Sequence, residues 1–396
     1  MKLLAYSHFF APSIGGVETL VRSLTRGLAE LRTPDGAAKF AITLITQTPA
    51  GNFDDRALSF PVIRQPSRSQ LWKLIRNTDV LHVAGTALLP MLLGRLAHKP
   101  VVVEHHGFQS ICPNGQLLIE PAGIPCPGHF MAGHHNVCLH CNSANGWPAS
   151  SKLWMLTFAR RILCAHISAN ITPTQWLGDL VQLPHVVAIP HGLENSPSAP
   201  NSSQPPEQPV IADPPVIAFV GRLVTTKGVN TLIEAAQILR TQNKSFKLLI
   251  AGDGPERRGL EESVNAAHLG EITHFAGRLG SNELDAALAT VSVVVVPSLG
   301  GEVFGLVVAE NMVRGIPVVA SNLGAFVEVV GPAGLNFETG NATALAAQLT
   351  RLLDNPDLRR TLGQQAQLRA AQFCDFQRML KAHERVYDQA FSREVT

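Results

Sequence analysis

The chain has 396 residues, 45% hydrophobic and 16% charged, with a formal net charge of +2. That length exceeds one ordinary core, so two domains are expected, and the low charge suits α/β units whose sheets are buried on both faces. No apolar run approaches the roughly 20 residues of a membrane span, six cysteines make no disulfide scaffold, and the near-neutral balance points to no nucleic-acid partner. The charge is unevenly spread: residues 1–190 hold 15 Lys+Arg against 9 Asp+Glu, and the remainder is net acidic. A basic first half suits an anionic ligand or surface.

Residues 2–7 read as a first strand and not as a secretory signal, because the apolar run stops at Ser7-His8. Gly15-Gly16 then opens an amphipathic helix over 17–31, and strands follow at 41–46, 80–84 and 101–104. The rhythm fails over 107–150, a Gly-, Pro-, Cys-, His- and Asn-rich insertion too long for an idle loop. It resumes with a helix over 151–164 and strands at 167–171 and 186–189. Residues 195–215 are dominated by Pro, Ser, Asn and Gln and read as a linker. The second half restarts with strands at 216–220, 247–251, 272–275, 293–296 and 317–320, separated by helices, which implies a parallel sheet. A last helix over 375–391 could pack back on the first domain.

The strongest chemical signal is Pro297-Ser298-Leu299-Gly300-Gly301-Glu302-Val303-Phe304-Gly305-Leu306-Val307-Val308-Ala309-Glu310. A buried strand runs into a glycine-bearing loop and then a helix, whose first amides favour a phosphate. Glu302 and Glu310 flank that anion site and suit hydroxyls on either side of it. The second signal is Gly221-Arg222-Leu223-Val224-Thr225-Thr226-Lys227-Gly228 after the first strand of the second half, which sets two cations at the strand's carboxyl end. No Asp-x-Asp occurs, so Arg222 and Lys227 are expected to meet a diphosphate's charge without a carboxylate-held catalytic metal.

These segments resemble the family 4 glycosyltransferases, retaining enzymes of the GT-B fold. Glu302 and Glu310 match that family's Glu-x7-Glu, Arg222 and Lys227 its phosphate-binding pair, Gly15 and Gly16 its glycine loop, and His106-Gly107 its His-Gly. Gly252-Asp253-Gly254-Pro255 and residues 315–321 also match. Two departures are Ala325 after Gly324, where a second glycine is usual, and His191 before Gly192, where the family usually has asparagine. No chemistry is assigned to His191.

The resemblance implies two Rossmann-like domains with parallel sheets facing across a cleft: an acceptor-side domain at 1–190 with the 107–150 insertion, a linker at 191–215, a nucleotide-sugar domain at 216–374 and a terminal helix at 375–396. It further implies that Glu310 holds the ribose, Glu302 the transferred sugar, and Arg222 and Lys227 the diphosphate. The amides of Phe304, Gly305 and Leu306 would help, Gly221 would let the backbone approach, and His106 would contact the donor sugar. The expected activity is hexosyl transfer from a nucleotide sugar, UDP favoured, to a glycan or lipid-linked acceptor in cell-surface polysaccharide or glycoconjugate synthesis. The alternative is a nucleotide-sugar epimerase or a non-catalytic nucleotide-binding protein of the same fold.

Cys112, Cys126, Cys138 and Cys141 fall in the insertion, the last two as Cys-x-x-Cys, and suggest a closed structural Zn²⁺ site, with an iron–sulfur cluster or no metal as alternatives. Segments 68–76 and 152–161 mix Trp and other bulky apolar residues with Lys and Arg, a pattern shared by core helices with basic ends and by helices touching anionic lipid. The expected location is cytoplasmic, with the inner membrane face as the lipid surface.

Overall fold

The computed structural model describes residues 1–13, 15–194 and 212–395, so the expected linker lies largely outside the described residues. The chain divides into two compact units: Met1–Gly115 with Gly128–Glu194 and Phe376–Thr396, and Gln116–Pro127 with Asn195–Asp375.

Unit 1 opens with β1 (Lys2–Ser7), α1 (Gly16–Glu30), β2 (Ala41–Thr46), β3 (Val62–Arg64), α2 (Arg68–Arg76), β4 (Val80–Ala84), α3 (Leu88–Leu96) and β5 (Val101–Glu104). Unit 2 takes the short antiparallel pair β6 (Leu118–Ile119) and β7 (Ile124–Pro125). Unit 1 resumes with α4 (His135–Cys141), α5 (Trp147–Cys164), β8 (Ala169–Thr172), α6 (Gln175–Val181) and β9 (Val186–Ala188). Its sheet has the order β3-β2-β1-β4-β5-β8-β9, with parallel pairing throughout. Strands β1, β4 and β5 are apolar along nearly their whole length because helices cover both faces. Leu3, Leu24, Leu44, Val80 and Val102 lie in the core of one face, and Leu4, Ile75, Leu81, Val103 and Met91 in that of the other.

Unit 2 continues with β10 (Val216–Val220), α7 (Val229–Thr241), β11 (Lys247–Ala251), α8 (Arg257–Ala266), β12 (Thr273–Gly277), α9 (Ser281–Leu288), β13 (Val293–Val296) and α10 (Leu306–Val313). Then come β14 (Val318–Ser321), α11 (Gly324–Val330), β15 (Leu335–Phe337), α12 (Ala342–Leu353) and α13 (Pro356–Phe373). The sheet order β12-β11-β10-β13-β14-β15 reverses direction between β10 and β13, the switch point at which open α/β sheets bind ligands. The last helix, α14 (Phe376–Val395), returns to unit 1: Met379, Leu380 and Tyr387 join its core, and Leu380 and Phe376 lie over Gly27 of α1.

Most strands fall where periodicity placed them. The edge strand β3 was missed because three half-buried residues carry no alternation. Helix α5 starts four residues earlier than expected, at Trp147-Pro148, with proline in its first turn.

Candidate active site

In unit 2, β10 and β13 are neighbours, so the loops that follow them leave the same edge of the sheet. Lys227 sits in a one-turn 3-10 helix, Thr225–Lys227, closed by left-handed Gly228. A Cβ on Gly228 would stand 2.1 Å from the carbonyl oxygen of Pro297, so the two loops touch backbone to backbone. Leu299 N–H donates to Thr226 O at 2.8 Å, which fixes their register. Lys227 Nζ forms an ion pair with Glu302 Oε1. Ser298 Oγ donates to the same Glu302 oxygen at 3.1 Å, and Ser321 Oγ donates to Ser298 O at 2.7 Å. Glu302 is thus held by one cation and one hydroxyl. Arg222, at the end of β10, is exposed and has no ion-pair partner among the described residues.

The entrance to α10 explains the glycine before it. Gly305 has φ +91°, and a Cβ there would lie 2.4 Å from Cε1 of Phe326. No side chain caps the helix, and the first amides of a helix lack intrahelical acceptors. Phe304 is buried and stacks on Phe373, with centroids 6.2 Å apart and ring planes 9° apart. That anchor holds the amides of Phe304, Gly305 and Leu306 at the end of the sheet. Glu310 follows in the second turn of α10, partly exposed by area. Burial raises its carboxyl pKa, against the opposing charge of Arg314. Arg314 itself is engaged elsewhere: its Nη1 donates to the Glu310 carbonyl at 3.0 Å and its Nη2 to Asp285 at 2.7 Å.

One contributor was not legible in the sequence. Gln116 O accepts from Gly301 N–H at 2.6 Å, and a Cβ on Gly300 would meet the same oxygen at 2.9 Å. Part of the irregular insertion therefore belongs to the glutamate loop's own unit. The Pro113-Asn114-Gly115 turn signal preceding it marks a chain reversal but not its destination.

In unit 1, Gly15 caps α1 in extended conformation (φ −171°), a region open to any residue. What the glycine spares is space: a Cβ would meet Glu18 Oε2 at 2.4 Å, and Ser13 Oγ holds Glu18 at 2.9 Å. Gly16 is the first helical residue, and Ile14 lies outside the described residues.

His106 lies two residues beyond the end of β5 and is nearly buried, its side chain 6% exposed. It does not stand alone. The fully buried Glu104 carboxylate has His82 Nε2 at 3.3 Å, His383 Nε2 at 3.6 Å and His106 Nε2 at 3.7 Å from Oε2, and His191 Nδ1 at 3.8 Å from Oε1. Burial drives three imidazoles here toward the neutral form: His105 falls to about 4, His191 to about 3, and His106 shifts in the same direction. Burial would raise Glu104, but the surrounding imidazoles reverse this and hold it well below the usual carboxyl range. His191, given no role from sequence, is part of this cluster. The signal available was its departure from the family's asparagine.

Cys164 and Cys374 are buried, and burial pushes both thiols up to about 12. In unit 1, Cys112 Sγ donates to Asn114 Oδ1 at 2.9 Å and Asn114 Nδ2 donates to Cys141 Sγ at 3.6 Å, so one amide touches both sulfurs. Cys138 and Cys141 are one turn apart on α4. Cys126 belongs to unit 2. Of the cations on α5, Arg160 donates to Thr86 O at 3.3 Å and Arg161 to Val181 O at 2.7 Å, so both guanidinium groups bind backbone carbonyls.

Residues 202–369 match the family model of the glycosyl transferases group 1. That match lies within the C-terminal half of the chain. The chain is 35% identical to 2-deoxystreptamine glucosyltransferase of Streptomyces kanamyceticus over 144 residues, 36% of this chain and 37% of that one. It is 29% identical to glycogen synthase of Mycobacterium tuberculosis over 236 residues, 59% of this chain and 55% of that one. These matches span between about a third and a little over half of each relative. Sucrose-phosphate synthase from Thermosynechococcus elongatus superposes with a TM-score of 0.69 at 20% identity, covering 99% of both chains. The Anabaena protein HepE, solved with UDP, gives 0.70 at 17% identity, covering 97% of this chain and 99% of that one. The fold is GT-B, built of two Rossmann-like units with parallel sheets.

Proposed function

We propose that this chain, whose residues 202–369 match the glycosyl transferases group 1, is a retaining glycosyltransferase that moves a hexosyl group from a UDP-sugar to a glycan or lipid-linked acceptor. The observation that carries the reading is the ion pair of Lys227 with Glu302, which lies in the loop leading into the uncapped start of α10, with Arg222 two residues beyond β10 and Glu310 further along α10. Two cations and a helix start suit a diphosphate leaving group. Glu302 suits the sugar hydroxyls and Glu310 the ribose. The UDP preference is supported by HepE having been solved with UDP and with UDP-glucose. Because the leaving group's charge is met by Arg222, Lys227 and helix amides, catalysis needs no divalent metal.

His106 contacts the donor sugar in this reading. Cys112, Cys138 and Cys141, all of unit 1, are proposed ligands of a structural Zn²⁺, supported by Asn114 touching two of the sulfurs. Contact with anionic lipid is supported by segment 68–76 together with a neighbouring helix that the sequence reading did not single out. Leu89, Leu92 and Leu96 form an exposed stripe on α3, 41%, 45% and 60% exposed, and Lys73 and Arg76 are exposed on the adjoining α2.

The test is transfer with a panel of UDP- and GDP-sugars in the presence of EDTA. Anomeric analysis of the product should show retention with a UDP donor. Exclusive use of a GDP donor, inversion, or a strict need for added Mg²⁺ would each refute the corresponding part.

A further inference from the structure

Glu104 ends a central strand and is 0% exposed, a setting in which an ionised carboxylate costs several kcal/mol unless it is compensated. Four imidazole nitrogens point at it from four parts of unit 1: β4 (His82), the β5 end (His106), the segment after β9 (His191) and α14 (His383). Neither Glu104 oxygen, nor Nε2 of His82, His106 or His383, makes a hydrogen bond to another protein group.

The spacing is informative. Separations of 3.6–3.8 Å for His383, His106 and His191 exceed hydrogen-bond length. They approach the distance between neighbouring ligands of a tetrahedral ion, about 3.3–3.6 Å when each ligand sits about 2.0–2.2 Å from the metal. The ligand atoms of Glu104, His106 and His191 all lie within 4.8 Å of one another. The remaining two histidines are oriented from behind. His383 Nδ1 is 2.9 Å from Met379 O, a carbonyl that can only accept, so Nδ1 carries its hydrogen. His82 Nδ1 is 3.0 Å from Tyr387 Oη. Such outer bonds fix imidazoles around an ion and its ligands.

We infer that unit 1 binds one divalent transition-metal ion, Zn²⁺ being the best match, through Glu104, His106 and His191. Two imidazoles and one carboxylate are ligands that zinc accepts, and they leave one position open. His82 and His383 flank the coordinating carboxylate. The ion ties the end of β5 to the segment after β9. It engages His106 through Nε2 and leaves Nδ1 of that ring for a second contact. The inference does not depend on the transferase reading.

The test is zinc-edge X-ray absorption on the intact wild-type protein supplied with two equivalents of Zn²⁺ and freed of excess. The expected spectrum contains imidazole-bound zinc, whether or not sulfur-bound zinc is also present. Glu104→Gln and His191→Asn should each lower bound zinc by about one equivalent and abolish the imidazole component. A wild-type spectrum showing sulfur ligands only, or no retained zinc, overturns the inference. So does an imidazole component that survives in either variant. If a variant fails to fold, the wild-type spectrum alone decides.

Discussion

Lys227 and Glu302, 75 residues apart in the chain, form an ion pair across the two loops that leave the switch point of the second sheet. The pair joins a cation suited to a diphosphate with a carboxylate suited to sugar hydroxyls. Arg222, two residues beyond the end of β10, is an exposed cation with no ion pair among the described residues. A donor would draw Lys227 and Glu302 onto different parts of one ligand.

Lys227→Ala and Arg222→Ala should therefore each lower transfer by about 100-fold or more, as expected when leaving-group stabilisation is lost. Folding stability should change little, within about 1 kcal/mol, because the Lys227 side chain is 30% exposed and Arg222 has no ion pair to lose. Steady-state rates with saturating donor, alongside urea melts, check this. Wild-type rates in both variants would remove the proposed donor site.

Glu310→Gln should separate binding from stability. Burial raises the Glu310 pKa above its ordinary 4.5, so keeping it ionised in the folded state costs stability. That cost is absent below the ordinary value and grows as pH rises through the folded one. Without ligand, the variant should be at least as stable as wild type near neutral pH, with the difference vanishing in acid. Nucleotide affinity should fall about 10-fold or more, as for a lost hydrogen bond to a charged group. Denaturant melts across pH and calorimetric titration with UDP give both numbers. A variant less stable than wild type at neutral pH would show that the carboxylate serves the fold.

Gly228→Ala should destabilise unit 2 by about 3 kcal/mol or more, since it combines left-handed backbone with a Cβ 2.1 Å from Pro297 O. Gly340→Ala is the control: its φ is +77°, but the nearest atom, Leu299 Cδ2, is 3.7 Å away, an ordinary contact. It should lose only the backbone term, about 1–2 kcal/mol. Equal losses in chemical denaturation would mean that the two loops can part without penalty.

Leu92→Glu combined with Leu96→Glu should abolish binding to vesicles containing phosphatidylglycerol and leave transfer to a soluble acceptor unchanged. Both leucines are exposed on α3, so folding should be preserved. Lys73→Ala with Arg76→Ala should weaken the same binding and reduce its salt dependence. Co-sedimentation at two salt concentrations is the measurement. Vesicle binding equal to wild type in the leucine variant would remove α3 from the contact.

The strands, the change of rhythm at 107 and the positions of Arg222 and Lys227 after one strand and of Glu302 and Glu310 around one helix start were readable because each depends on neighbours a few residues away. A buried parallel strand is a short apolar run, and a helix start after a glycine loop lies within one segment. What local pattern could not decide was which segments meet. Pairing of Lys227 with Glu302 needs β10 beside β13. The junction of Gln116 with Gly301 joins parts of the chain separated by nearly half of its length. The ring of His82, His106, His191 and His383 around Glu104 draws on the middle of β4, the end of β5, the segment after β9 and the last helix, and each of those histidines, taken alone, resembles an ordinary buried side chain. Burial and long-range convergence turn them into one cluster, and both are properties of the folded chain.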